Sequence, residues 1–344
     1  MTAIDLFCGV GGLTHGLVEE GIRVIAGMDL DIACKYAYEK NNHAKFIHKD
    51  IEEMTSAEII DLYPDDHIRI LIGCAPCRPF SKYGNKKVRK KENNEWRLLR
   101  EFMRIIEGVQ PEIVSMENVP LLVNHSVFAE FISFLDVNDY HVCHDIVFCP
   151  EYGIPQNRKR LVLFASKFGE MRILKGEYSE RNHKTVRDAI QDLEPIEAGE
   201  VSKTDPLHRA RDLSETNKLR IKSTPEGGGW RDWDYDLLAE CHRKQSGKTY
   251  VSVYGRMSWD EPAPTITTQF NGYGNGKFGH PDQNRAISYR EGSLLQTFPQ
   301  SYDFIDPSRP FSGQSIARHI GNAVPVDLGR AIARSIKKHI QEMG

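Results

Sequence analysis

The chain has 344 residues, with 45 Lys and Arg against 48 Asp and Glu, a formal net charge of −3 and 40% hydrophobic residues. That balance excludes a purely electrostatic, histone-like nucleic-acid binder, and the length allows one large domain with a smaller one beside it. No apolar run approaches the ~20 residues of a membrane span, the N-terminus lacks a secretory pattern, and seven irregularly spaced cysteines read as free thiols of a reducing cytoplasm.

The first half alternates short apolar runs with helical patterns, the mark of a mostly parallel sheet covered by helices. In chain order, "AIDLF" reads as a strand, "GVGG" as a tight loop and "LTHGLVEE" as a helix. "IRVIAGMDLD" is a second strand ending in acids, and "FIHKDI" and "IRILIG" are the third and fourth. From Trp96, the apolar residues Leu99, Phe102, Met103 and Ile106 recur at the spacing of one helix face. "EIVSMENV" is a fifth strand and "VFAEFISFL" a helix, while "YHVCHDIVF" and "RLVLFAS" look like an antiparallel pair closing the sheet. The texture changes near Lys167. Residues 167–285 are richer in Gly, Pro and polar residues, show few clean periods and carry 19 basic against 19 acidic residues. Leu328, Ile332, Ile336 and Ile340, four apart behind Pro325, mark a C-terminal helix. The expected organisation is an α/β domain over 1–166, a smaller domain over 167–285, and a segment 286–344 that completes the first.

"DLFCGVGG" after the first strand has the form of a nucleotide-binding turn, where glycines let a ligand approach the backbone and a helix N-terminus supplies positive charge. Asp29, twenty residues past Gly9, ends strand two, where an acid can bond both ribose hydroxyls. Asp50 ends strand three, placed to accept from an adenine amino group. Thr14 stands where a dinucleotide fingerprint wants its third glycine, so an adenosine ligand without a pyrophosphate fits better, and S-adenosylmethionine is one. The plainer alternative is a structural turn flanked by two solvated acids.

"GCAPCRPFS" places Cys74 and Cys77 three apart on a loop leaving the fourth strand. The spacing alone allows a nucleophile, a redox pair, a metal ligand or a small buried hydrophobe. A zinc site would need a second matching pair, and Cys143 and Cys149 are six apart. A redox pair leaves the glycine turn and "MENV" unexplained.

Six motifs in order resemble those of the cytosine-5 DNA methyltransferases, across about 320 residues of the chain. "DLFCGVGG" is similar to the family's first cofactor motif and "APCRPFS" to its catalytic Pro-Cys loop. "MENV" and "QNRKR" resemble its Glu-Asn-Val and Gln-x-Arg-x-Arg motifs, and "REGSLLQTFP" and "GNAVPV" its two C-terminal ones. The sequence departs from the family at Ala75, where many members have a second proline, at Arg78, where they have a polar amide, and at Cys8, read as packing. The resemblance implies a Rossmann-like S-adenosylmethionine-dependent methyltransferase fold with a mixed, mostly parallel sheet, and a target-recognition domain in the segment of altered texture.

Carbon 5 of cytosine is too weak a nucleophile to take a methyl group unaided; a thiolate adding to carbon 6 makes it enamine-like. The resemblance assigns that thiol to Cys77, with Arg78, Arg158 and Arg160 as candidates to supply positive surroundings and Glu117 acting as the acid at N3; Cys74 is then read as a buried hydrophobe. It implies cofactor contacts from Phe7, Gly9, Gly11, Gly12, Asp29, Leu30, Asp50, Ile51, Pro76, Asn322 and Ala323. Substrate contacts fall to Arg78, Ser81, Asn118, Gln156 and Thr265, the last within "PAPTITT".

A duplex cytosine must be swung out of the stack to be reached. The run "KYGNKKVRKK" reads either as a solvated loop or as one closing on the sugar-phosphate backbone. Arg220, Lys222, Arg231 and Arg243 are unranked candidates for base or phosphate contacts, and His280 reads as a structural loop histidine. The expected activity is S-adenosylmethionine-dependent methylation of carbon 5 of cytosine in a short double-stranded DNA sequence. It is expected of a cytoplasmic bacterial or phage monomer without metal, as an orphan enzyme or with a cognate restriction endonuclease. The competing expectations are a transfer RNA cytosine-5 methyltransferase, an inactive DNA-binding regulator, and a nicotinamide oxidoreductase.

Overall fold

Thr2–Leu6 is buried at every residue and forms β1, the strand around which the first unit is built. The computed structural model describes residues 1–65, 67–76 and 96–343. These divide into one unit of residues 1–148, 159–176 and 324 onward, and a second of residues 149–158 and 177–323.

In the first unit β2 (Arg23–Asp29) pairs parallel to β1 on one side and β4 (Arg69–Gly73) on the other. β3 (Lys45–His48) extends the sheet beyond β2, and β5 (Ile113–Asn118) beyond β4. β6 (His141–Phe148) and β7 (Lys159–Ser166) are antiparallel to one another, and β7 is antiparallel to β5, giving the order 3-2-1-4-5-7-6. The central strands are nearly continuous apolar runs because helices cover both faces of such a sheet. This is the mixed, mostly parallel sheet expected. β2 and β3 end earlier than their patterns suggest: Asp29 and Asp50 both turn their carboxylates back onto backbone N–H groups just past the strands.

The helices α1 (Gly12–Glu19), α2 (Lys35–Asn42), α3 (Ser56–Ile60), α4 (Arg97–Val109) and α5 (Ser126–Val137) follow their strands. α4 buries Leu99, Phe102, Ile105, Ile106 and Val109, a stripe of 3.6-residue period. The C-terminal helix Val326–Gln341 starts behind Pro325 and fully buries Leu328, Ile332 and Ile336. It lies so close to α1 that a Cβ on Gly16 would stand 2.5 Å from the Val326 carbonyl, so only glycine fits there. Arg330 and Arg334 flank this contact, reaching Glu19 and Glu20.

The second unit has little regular structure, and aromatic packing replaces periodicity. Trp230, Trp233, Tyr273, Leu213 and Ile221 form its core, with His242 stacked on Trp230 at 4.2 Å. Arg256 is buried and fans its guanidinium onto the carbonyls of Ile221, Thr224, His280 and Gln283 at 2.6 to 2.9 Å. The unit runs to Ala323, whereas residues 286–323 were expected with the main domain, and it takes in residues 149–158 as well. The reason is visible around helix Tyr289–Leu295. Glu291 grips Arg285 through two 2.7 Å bonds, Arg290 bonds Asp205 at 2.6 Å, and Ser288 meets His208 at 2.9 Å. These contacts tie the segment to residues 205–285.

Among the described residues no helix is long and apolar enough to cross a membrane, and the described cysteines are free thiols.

Candidate active site

The turn after β1 begins at Phe7, which takes φ +62°, a left-handed conformation costly for a non-glycine residue and typical of functional turns. Gly9 and Gly11 continue it at φ +52° and +88°. The Gly9 N–H donates to Asp29 Oδ2 at 2.9 Å and the Cys8 N–H to the Met28 carbonyl at 3.1 Å, so the end of β2 holds the turn. α1 then starts at Gly12 with no side-chain cap and no acid in its first turn, leaving its first N–H groups to serve an anion. Cys8 is buried, and burial with the nearby Asp5 and Asp29 pushes its thiol pKa well up, consistent with packing.

Beyond the turn, Asp29 is half-buried at the end of β2 and also accepts from Asp31 N at 2.8 Å. Leu30 follows it with its apolar side chain 63% exposed. Asp50 accepts from Glu52 N at 3.1 Å and caps a single turn of helix, and Ile51 next to it is buried in the core. Strand register sets Asp29 beside His48 and Leu6 beside Met28. The glycine turn, Asp29–Leu30 and Asp50 thus share one carboxyl edge, where open α/β sheets bind their ligands. A half-buried acid, an exposed apolar side chain and open N–H groups suit an adenosine with an anionic tail.

At the next strands along that edge, Glu117 is only 2% exposed although it carries a carboxyl group. Its Oε1 lies 2.8 Å from Arg160 Nε, brought there by β7 running antiparallel to β5. Its Oε2 accepts from the Cys74 thiol at 2.8 Å. Asn118 Nδ2 donates to the Ala75 carbonyl at 3.1 Å, so Asn118 holds the loop that leaves β4. Cys74 departs from its expectation as a buried hydrophobe: it is partly exposed and acts as a hydrogen-bond donor. Pro76 is exposed. Cys77, Arg78, Ser81 and the basic run from Lys82 to Lys91 lie outside the described residues.

The remaining candidates lie in the second unit. Gln156 is fully buried, donating to the Leu295 carbonyl and Gln296 Oε1 and accepting from Ile266 N and Arg158. Its bonding capacity is used internally, fixing the Ile266 segment. Arg158 is buried, 3.3 Å from the Ile266 carbonyl and 3.4 Å from that of Ala323. Thr265 donates to the Asn157 carbonyl at 2.7 Å. Asn322 is exposed at the end of helix Gly313–Asn322, and Ala323 caps it.

Of the unranked basic residues, Arg220 is committed internally, bonded to the Leu237 carbonyl and packed on Trp233 and Tyr254. Arg243 lies over the exposed Tyr235 at 4.7 Å. His280 is structural as expected. Its Nδ1 accepts from Asp282 N and Gln283 N, which places the proton on Nε2, facing Glu291 at 3.7 Å.

A model of the C-5 cytosine-specific DNA methylases matches residues 1–338. The Type II methylase M.HgiDII of Herpetosiphon aurantiacus is 52% identical over 341 residues, covering 98% of this chain and 95% of that one. The Type II methyltransferase M1.BsuMI of Bacillus subtilis is 32% identical over 348 residues, covering 96% of this chain and 78% of that one. Among solved structures, a prophage-encoded Escherichia coli protein described as a DNA modification methyltransferase superposes with a TM-score of 0.75 at 19% identity, covering 99% of each chain.

Proposed function

Because the chain belongs to the C-5 cytosine-specific DNA methylase family and is a DNA cytosine-5 methyltransferase, we propose the following division of work among its residues. Cys77 is the nucleophile, adding as thiolate to carbon 6 of an extruded cytosine while Glu117 meets N3 and neutralises the charge that develops on the ring. Once carbon 5 has taken the methyl group, a base takes the carbon 5 proton, the released electron pair expels the Cys77 thiolate, and N3 returns its proton to Glu117, which restores the ring. Arg160 fixes the Glu117 carboxyl. Asn118 holds the loop, and Arg158 and Gln156 hold the Ile266 segment next to Thr265. The observation that carries this reading is the buried Glu117 carboxyl at the carboxyl edge of the sheet, ion-paired with Arg160 at one oxygen and accepting the Cys74 thiol at the other.

S-adenosylmethionine is the methyl donor in this reading, supplying an electrophilic methyl group on a sulfonium sulfur to carbon 5. The turn from Phe7 through Gly9, Gly11 and Gly12 would receive its charged tail, with Pro76, Asn322 and Ala323 as further contacts. Asp29 and Leu30 would hold the ribose, and Asp50 and Ile51 the adenine. The second unit reads the DNA target, with Arg78, Ser81 and Thr265 at the substrate. The Type II names of the relatives support a restriction endonuclease of the same site specificity as partner.

The test is incubation of the protein with labelled S-adenosylmethionine and either duplex DNA or transfer RNA, followed by bisulfite sequencing of the DNA. Label in DNA at one recurring cytosine context is expected, and a Cys77→Ala variant should bind DNA and transfer nothing. Label in transfer RNA alone would overturn the substrate reading, and an active Cys77→Ala would overturn the nucleophile.

A further inference from the structure

The thiol three positions before Cys77 is a second group built into the Glu117 site. Cys74 Sγ lies 2.8 Å from Glu117 Oε2, while Arg160 Nε occupies the other oxygen. The backbone around it is fixed. The Cys74 N–H donates to the Leu6 carbonyl at 3.3 Å, and Ala75 receives the Asn118 amide at 3.1 Å. A Cβ on Gly73 would stand 3.0 Å from the Leu6 carbonyl, so β1 crowds this bend as well. The ends of β4 and β5 therefore hold each other through two side-chain bonds of opposite direction, one of them ending on the Glu117 carboxyl. Held at Oε1 alone, a carboxyl can still swing about that contact; a donor at Oε2 removes the swing and fixes its plane.

We propose that Cys74 is a positioning residue for methyl transfer, holding the Glu117 carboxyl in the plane from which it meets the cytosine. The inference rests on the reading of Glu117 given above. A merely space-filling cysteine and a positioning donor differ in what replaces them. Alanine and serine both fit the space, but only serine keeps a hydrogen on the atom facing Oε2.

The experiment measures methyl transfer from labelled S-adenosylmethionine to unmethylated bacterial genomic DNA by the full-length enzyme. The variants are Cys74→Ala, Cys74→Ser and Glu117→Gln, each checked by thermal unfolding. Loss of a hydrogen bond to a charged group predicts a fall in kcat of about tenfold or more for Cys74→Ala, with KM for either substrate changed by less than about twofold. Cys74→Ser should recover most of the rate, and Glu117→Gln should lose about 100-fold or more. If Cys74→Ala does not fold, Cys74→Gly makes the same donor-less comparison. Wild-type kcat in a folded donor-less variant, or a serine variant as slow as alanine, overturns the proposal. Wild-type kcat in Glu117→Gln overturns the reading beneath it instead, so the two failures are separable.

Discussion

Thr14 donates its hydroxyl to Asp5 at 2.6 Å beneath the glycine turn, and the Tyr38 hydroxyl stands 3.1 Å away on the same oxygen. This chain of polar groups occupies the place where a dinucleotide fingerprint has its third glycine, which is why that position is a threonine here. The Asp5 carboxyl is 1% exposed. Burial, reinforced by the charge of Asp29 and only partly opposed by Thr14, pushes its pKa up to about 7.

A raised acid binds its proton more tightly folded than unfolded, so the protein should lose stability as pH rises from about 4 to about 7 on this account. Above that the contribution is flat. Asp5→Asn, which keeps an acceptor for Thr14 and cannot ionise, should remove the trend. Urea midpoints at pH 5, 6, 7 and 8 check this, and an unchanged slope in the variant would assign the dependence to other groups.

Arg160 and Glu117 form a pair with one partner almost wholly buried. Removing the arginine leaves a buried carboxylate without its counter-charge, which costs about 3 kcal/mol in comparable pairs. Arg160→Ala should therefore destabilise strongly, and adding Glu117→Gln should restore part of the loss, a coupling that urea unfolding of the four proteins measures. Methyl transfer should be impaired in every variant. Additive effects would mean that the 2.8 Å contact contributes nothing to stability.

The sheet was legible because its strands are buried on both faces and read as apolar runs separated by glycine turns and helical periods. Asp29 was legible for the same reason, since it ends β2, whereas Asp50, expected to end the third strand, lies two residues past β3 and caps the helical turn that follows. The extent of the second unit was not. Its contacts are an arginine fanned over carbonyls, stacked rings and the buried Arg285–Glu291 pair, none of which has a sequence period. Residues 286–323 carry family motifs and a helical pattern and so read as part of the main domain, but Arg290–Asp205 and Ser288–His208 decide their membership. The role of Cys74 was hidden because a small residue beside an expected nucleophile reads as filler until its neighbour across the sheet is known.

The Asp29 carboxylate, proposed to hold the ribose, accepts the Gly9 N–H at 2.9 Å. Asp29→Ala should then disturb the turn as well as the sugar contact and raise the KM for S-adenosylmethionine by more than about tenfold. Asp29→Asn retains one carbonyl acceptor and should fall between. KM for DNA should move much less in both, and steady-state titration of each substrate separates the two. Equal effects on both substrates would remove Asp29 from the cofactor site.

His280 and Glu291 should set the acid limit of the second unit. Burial alone would raise the Glu291 pKa, but Arg285, with His280 and His208, outweighs it and holds the carboxyl at about 2. Burial also lowers His280 to about 4, as expected for a ring whose Nδ1 accepts two backbone N–H bonds that a proton would break. Both groups bind protons less readily folded than unfolded, so each contributes stability that is complete above its ordinary pKa. For His280 the loss runs from about pH 6.5 down through 4, and for Glu291 from about 4.5 down through 2. Histidine ring resonances followed by NMR should show His280 titrating far below the exposed histidines. Glu291→Gln should strand the buried Arg285 charge and cost about 3 kcal/mol at neutral pH. A His280 midpoint near the ordinary value would mean that its Nδ1 is solvated, and that the loop from His280 to Arg285 is not held as the hydrogen bonds require.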